Sequence, residues 1–404
     1  MTPEVKGFLL AAVVKILFVF TVINVAVMLI IWQERRQSAF AQDRLGPNRV
    51  GPQGLLQSVA DGLKNFMKEE TFPASADKIL FTIAPMMAFI PALLGFAVIP
   101  FAAPLPGFDF TLPVLGHFAY VGTIPMVMAD IPIGFLFVLA ITSLGVYGIV
   151  LAGWSSNSKY AFLGGLRASA QMVSYEIAMG MSLIALLILV GNVTLYEVVA
   201  RQQQSAWFVF PLLIGFFVFV VAAFAETNRL PFDLPETESE LVAGYHTEYS
   251  SMKFAMFFIA EYSNMITASA LMATFFFGGW DIPFTEWDEG SPTVLKSLVT
   301  MLVFGLKTWL FLALYIQIRW TLPRFRFDQL MVLGWKFMIP LAIGYIVLVA
   351  TSVLVLDALN VTFGLQYAAV LFALNLLVAY VLFWVVDRNR IMVGAHERRG
   401  RSVV

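Results

Sequence analysis

Long uninterrupted apolar runs leave this chain few folds to choose from. Nine such runs occur, at residues 8–32, 79–102, 131–153, 168–190, 206–225, 253–279, 295–318, 337–357 and 366–386. A helix needs about 20 apolar residues to cross the hydrocarbon core of a bilayer. The runs are continuous rather than alternating, which argues against the strands of a membrane barrel. Only 13% of the residues are charged and 60% are hydrophobic, whereas soluble domains are about a quarter charged and about half apolar. The expectation is an all-α, polytopic membrane helical bundle formed by residues 1–404 as one domain, with about nine transmembrane helices. The first run continues to Trp32 without a small-residue cleavage site. It is therefore read as a membrane helix and not as a cleaved leader.

Basic residues concentrate in the segments after runs one, three, five, seven and nine. By the positive-inside rule those segments face the cytoplasm, which puts the N-terminus outside and the C-terminus inside. The first of them, residues 33–78, carries RLGPNRVGPQG with its two Gly-Pro turns. Leu55, Leu56, Val59, Ala60, Leu63, Phe66 and Met67 then recur at helical spacing, with Asp61, Lys64 and Lys68 on the other face. This predicts an amphipathic helix lying at the cytoplasmic membrane surface. The segments 103–130 and 280–294 hold almost no basic residues and show no chemistry. The basic tail DRNRIMVGAHERRGRSVV suits an anionic lipid surface. Cysteine is absent, so thiolate metal ligation, disulfides and an iron–sulfur cluster held by this chain are excluded. A net charge of −1 gives no footing for nucleic acid.

Against this background, ETNRLPFDLPETESELVAGYHTEYS (226–250) stands out, because it gathers Glu226, Asp233, Glu236, Glu238, Glu240 and Glu248. Glu261 follows. Four readings compete. A solvated loop would not need the interleaved Leu241, Val242, Ala243, Tyr245 and Tyr249. A carboxylate-bridged metal site would repeat Glu-x-x-His, and that unit is missing. An acidic grip on a basic partner subunit is open. So is a proton-accessible acid cluster, since carboxylates held together do not all ionise at ordinary pH. The last reading gains from Glu176, Glu226, Glu261 and Lys307, which fall within or at the edge of apolar runs, where ionisable groups mark function by default. For Glu176 the competing reading is a structural ion pair with Lys307 or Arg167.

The runs QDRLGPNRVGPQGLLQ (42–57), SNSKYAFLGGLRASAQMVSYE (156–176), ETNRLPFDLPETESELVAGYHTEYS (226–250) and LPRFRFDQLMVLGWK (322–336) resemble the H subunit of respiratory complex I, the proton-translocating NADH:quinone oxidoreductase. Its mitochondrial counterpart is the first membrane-encoded NADH dehydrogenase subunit. The resemblance spans the chain from the first run to about residue 340. It implies a bacterial plasma-membrane subunit with no redox centre of its own and with quinone, ubiquinone or menaquinone, as substrate. Implied partners are the peripheral-arm iron–sulfur and quinone-headgroup subunits, the small membrane subunits and the lipid bilayer.

The resemblance also implies roles for residues. Glu34, Arg35, Arg36, Asp61, Glu69, Arg229 and Phe232 would belong to the quinone chamber, walled by the first, fifth and sixth helices and the amphipathic helix. Glu176, Glu226 and Glu261 would be the buried acids of a coupling chain. Asp233, Glu236, Glu238, Glu240 and Glu248 would form the acidic loop (226–252) beside it. Three departures are visible: Ser58 where many members have Pro, Ser251 where many have Gly, and the ninth run, 366–386, which many lack. The rival readings are the related membrane subunit of a membrane-bound hydrogenase, and a stand-alone ion transporter. The transporter reading is weakened because no internal repeat is apparent.

Overall fold

The computed structural model describes residues 2–113, 116–235, 238–283, 285, 287–288 and 290–389. Helices dominate. In chain order they are α1 (Pro3–Ala41), α2 (Gln57–Met67), α3 (Lys78–Leu94), α4 (Gly134–Ser155), α5 (Lys159–Val190), α6 (Leu195–Gln203) and α7 (Leu213–Glu226). There follow α8 (Glu238–Leu241), α9 (Ser251–Phe276), α10 (Val294–Thr321), α11 (Phe327–Val332), α12 (Ile339–Ala358) and α13 (Leu365–Asn389). A π-helical stretch, Leu333–Met338, fuses α11 to α12. Among the described residues, eight helices are long and apolar enough to cross a membrane.

The fifth expected span, 206–225, is different. Its helix, α7, has only 14 residues, about 21 Å at 1.5 Å per residue. Residues 208–212 before it run as turns. Other boundaries move for identifiable reasons. Asp77 Oδ1 accepts from the amides of Ile79 and Leu80 at 3.0 and 3.3 Å and fixes the start of α3. α5 begins at Lys159, well before its apolar run, so Arg167 sits on the helix and not in a loop. It stops at Gly191, whose φ of 71° a residue with a side chain would adopt only at a cost. Segment 103–130 contains two short antiparallel pairs: β1 (Leu105–Pro106) with β4 (Thr123–Ile124), and β2 (Asp109–Leu112) with β3 (Gly116–Ala119).

Helices close on one another where side chains are small. A Cβ on Gly148 of α4 would lie 2.6 Å from the Ala88 nitrogen of α3, so only glycine permits this approach. Outward-facing Leu17, Phe20, Leu302, Val347 and Leu377 stay exposed, as a lipid-facing surface requires. The basic and acidic segments converge at one end of the bundle. There Phe325 donates to the Pro231 carbonyl (3.3 Å), Thr71 to Ser250 (3.1 Å) and Asp77 to the Ser155 carbonyl (3.1 Å). At the opposite end Lys307 donates to the carbonyls of Phe277, Gly279 and Asp281 at 2.7, 3.0 and 2.6 Å.

Candidate functional site: a cavity and a row of buried acids

A cavity of about 1150 Å³ opens between α1, α2 with its leading loop, α9 and the end of α10. Apolar Val27, Ile31, Phe254, Phe258 and Ile259 line it alongside polar side chains, of which Glu34 with Arg319 and Arg35 with Asp61 make up one polar end. Large apolar clefts with a few convergent polar groups are the usual form of ligand sites.

Glu34 is the centre of that polar end. It sits on α1 and is only 5% exposed. Arg229 Nη1 lies 3.1 Å from Glu34 Oε1, Tyr262 donates to Oε2 at 2.7 Å, and Arg319 from α10 reaches the same carboxylate. Arg229 turns its Nε to Glu261 Oε1 at 2.6 Å and lays its guanidinium 4.4 Å from the Tyr262 ring centre. Two carboxylates and two guanidiniums thus balance, which is how buried charge is tolerated. At the rim Arg35 pairs with Asp61 of α2.

Arg229 owes its place to Gln171, which is fully buried on α5. The Gln171 side-chain amide shares its two hydrogens among the Ala225 carbonyl (2.8 Å), Asn228 Oδ1 (3.0 Å) and the Phe232 carbonyl (2.8 Å). These bonds fix the turn after α7, including Asn228 at φ 51°.

Behind Glu261 the polar groups continue inward. A small cavity of about 30 Å³ is bordered by Glu261, Glu226, Thr227 and Asn264. A second of the same size is bordered by Glu226, Asn264, Thr267 and Thr142. Each has room for a water or two and offers it polar partners. Glu226 bonds with the Thr142 hydroxyl. The next residue on α4, Ser143, donates to Glu176. Adjacent hydroxyls therefore bridge the two carboxyl groups.

Several residues named from the sequence lie elsewhere. Arg36 bonds Gln53 at 2.9 Å and faces the rings of Trp32 and Phe40. Glu69 is exposed and lies beyond the end of α2. Phe232 is buried, stacked on Phe325 with ring centres 5.5 Å apart. The acidic loop is spread over separate partners: Asp233 pairs with Arg324 at 3.2 Å, and Glu240 with Arg167 at 2.6 Å. Glu248 is half-buried, Glu238 begins α8, and Glu236 lies outside the described residues. Neither Lys307 nor Arg167 serves Glu176, since Lys307 is engaged at the far end of the bundle and Arg167 by Glu240. Glu261 lies ten residues inside α9. The cavity takes its fourth wall from α10. Arg319, Tyr262, Gln171 and the Thr142–Ser143 pair were not singled out by sequence.

The fold and the site together define a class: an integral membrane helical bundle that holds compensated charge next to a large cavity and carries acids from it into its interior. The chain belongs to the NADH dehydrogenase family, whose model matches residues 14–350. An H subunit of NADH-quinone oxidoreductase from Koribacter versatilis is 49% identical to it over 356 residues, covering 86% of this chain and 98% of that protein. An H subunit of the same enzyme from Cytophaga hutchinsonii is 47% identical over 352 residues, covering 86% and 98%. The counterpart from Leptospira biflexa is 47% identical over 336 residues, covering 83% and 92%.

Proposed function

We propose that this chain is the membrane subunit of a proton-translocating NADH:quinone oxidoreductase that walls the quinone site and couples quinone reduction to proton movement. One observation carries the coupling part. Arg229 is shared by Glu34 on the cavity wall and by Glu261, and Glu261 borders the same small cavity as Glu226. A quinone tail fits the apolar walls, and a change of charge at the polar end would redistribute Arg229 between its two carboxylates. Glu261, Glu226 and Glu176 would pass that change inward through hydroxyls and water. The chain would supply no redox centre, so its partners would be the iron–sulfur and quinone-headgroup subunits of the peripheral arm. The basic end of the bundle would face them from the cytoplasmic side of the membrane, with the N-terminus on the other side. The names of the relatives favour quinone chemistry over the hydrogenase reading.

The test is Glu226→Gln in assembled complex within membranes. Quinone reduction per complex should persist at a reduced rate, and protons moved per electron should fall at least twofold. Normal assembly with undiminished quinone reduction and pumping would sink the relay.

A further inference from the structure

The last helix, α13, begins at Leu365, beyond the 14–350 stretch that the family model matches. One residue on it is out of character. Asn375 is fully buried, 0% exposed, in the middle of the otherwise apolar stretch 368–386 of this helix. It uses all four of its hydrogen-bonding positions. Its amide donates to the carbonyls of Pro211 (2.7 Å) and Leu371 (2.9 Å). Its oxygen accepts from the Ile214 amide (3.4 Å) and from the Tyr345 hydroxyl (2.9 Å).

These contacts fall at the broken end of α7. A helix start leaves several backbone N–H groups without intrahelical partners. They are usually met by the side chain of the N-cap residue, which bonds the second or third helical amide. Here the N-cap residue is Leu212, which has no such side chain. Ile214 is the second helical residue, and its amide goes to Asn375. Gly215 is the third, and it lies against the ring of Tyr345 of α12, whose hydroxyl donates to Asn375. The preceding turn, 208–212, would be non-helical backbone at membrane depth, which is tolerated only where protein buries it. Phe372 and Phe210 pack edge to face beside it, with ring centres 5.8 Å apart.

We propose that α13 supplies a helix cap in trans: Asn375, with Tyr345, is the positioning residue for the start of α7 and so for the rod whose other end carries Glu226. The part concerning Glu226 rests on the relay proposed above, whereas the cap stands on its own geometry. The two can fail separately, because backbone exchange reads the cap and the Glu226→Gln variant reads the relay.

The experiment is hydrogen exchange of the intact purified complex in nanodiscs, with Asn375→Leu and Tyr345→Phe. Ser352→Ala, a hydroxyl on α12 that bonds only its own helix, is the control. Peptides covering 211–216 should exchange at least fivefold faster in both variants and unchanged in the control. Asn375→Leu should also lower protons moved per electron while quinone reduction per complex stays within twofold. If Asn375→Leu fails to assemble, Tyr345→Phe decides alone, because it removes one hydroxyl and keeps the ring. Unchanged exchange at 211–216 overturns the cap. Faster exchange with an unchanged proton ratio overturns the positioning of Glu226.

Discussion

Arg229 holds carboxylates on two helices at once, Glu34 of α1 and Glu261 of α9. Removing one partner of a buried ion pair costs about 3–5 kcal/mol, because the remaining charge is stranded. Arg229→Leu should therefore cut quinone reduction more than tenfold even in complex that still assembles. Activity normalised to assembled complex, measured in membranes, checks this, and activity within twofold of wild type would refute it. Lysine should rescue only partly, since one ammonium cannot reproduce the fork that reaches both carboxylates. Of the charged members of this cluster, Glu261 stood out in the sequence because charge in an apolar setting is conspicuous, whereas Glu34 and Arg229 were named only through the family resemblance. Gln171 and Tyr262 did not stand out, since a neutral polar residue at a helical position gives no signal until its partners are known. Arg319 was hidden among ordinary basic residues at a helix end.

At the scale of elements, α2 is held by two serine hydroxyls. Ser58 donates to the Met28 carbonyl of α1 at 2.8 Å. Ser251, the first residue of α9, shares its one hydroxyl hydrogen between the carbonyls of Asn65 and Lys68, at 2.9 and 2.8 Å. Ser251 does so at φ 57°, a left-handed conformation that costs a side-chain-bearing residue about 1–2 kcal/mol. Two substitutions should therefore separate. Ser251→Ala loses the hydrogen bonds and keeps the strain, while Ser251→Gly loses the bonds and relieves the strain. Exchange of α2 amides should quicken clearly in the alanine variant and little in the glycine variant; equal effects would contradict this account. The amphipathic pattern of α2 was legible from spacing alone, as were the long spans. The short α7 was not. An apolar window counts side chains, and it cannot see backbone whose partners arrive from residue 375. The strands of segment 103–130 escaped for a related reason, being only two to four residues long.

Across the whole molecule, the charged segments meet at one end of the bundle, and His246 lies beneath them among Tyr245, Phe254 and Phe258. Burial pushes its pKa down from 6.5 to about 4. The unfolded chain takes up a proton below about pH 6.5 that the folded chain refuses, so stability is lost as pH falls from 6.5 towards 4. At about 1.4 kcal/mol per unit the loss is at most about 3.5 kcal/mol. The thermal midpoint of the complex should fall over this range, and His246→Phe should flatten the fall; an unaltered slope would exclude His246 as the cause. Deeper in, the two small cavities flanking Glu226 are each of about 30 Å³. A proton needs only a reoriented hydroxyl or one water to move on. Along the proposed route, larger side chains at these chambers would therefore displace the water and close the passage without changing its charge.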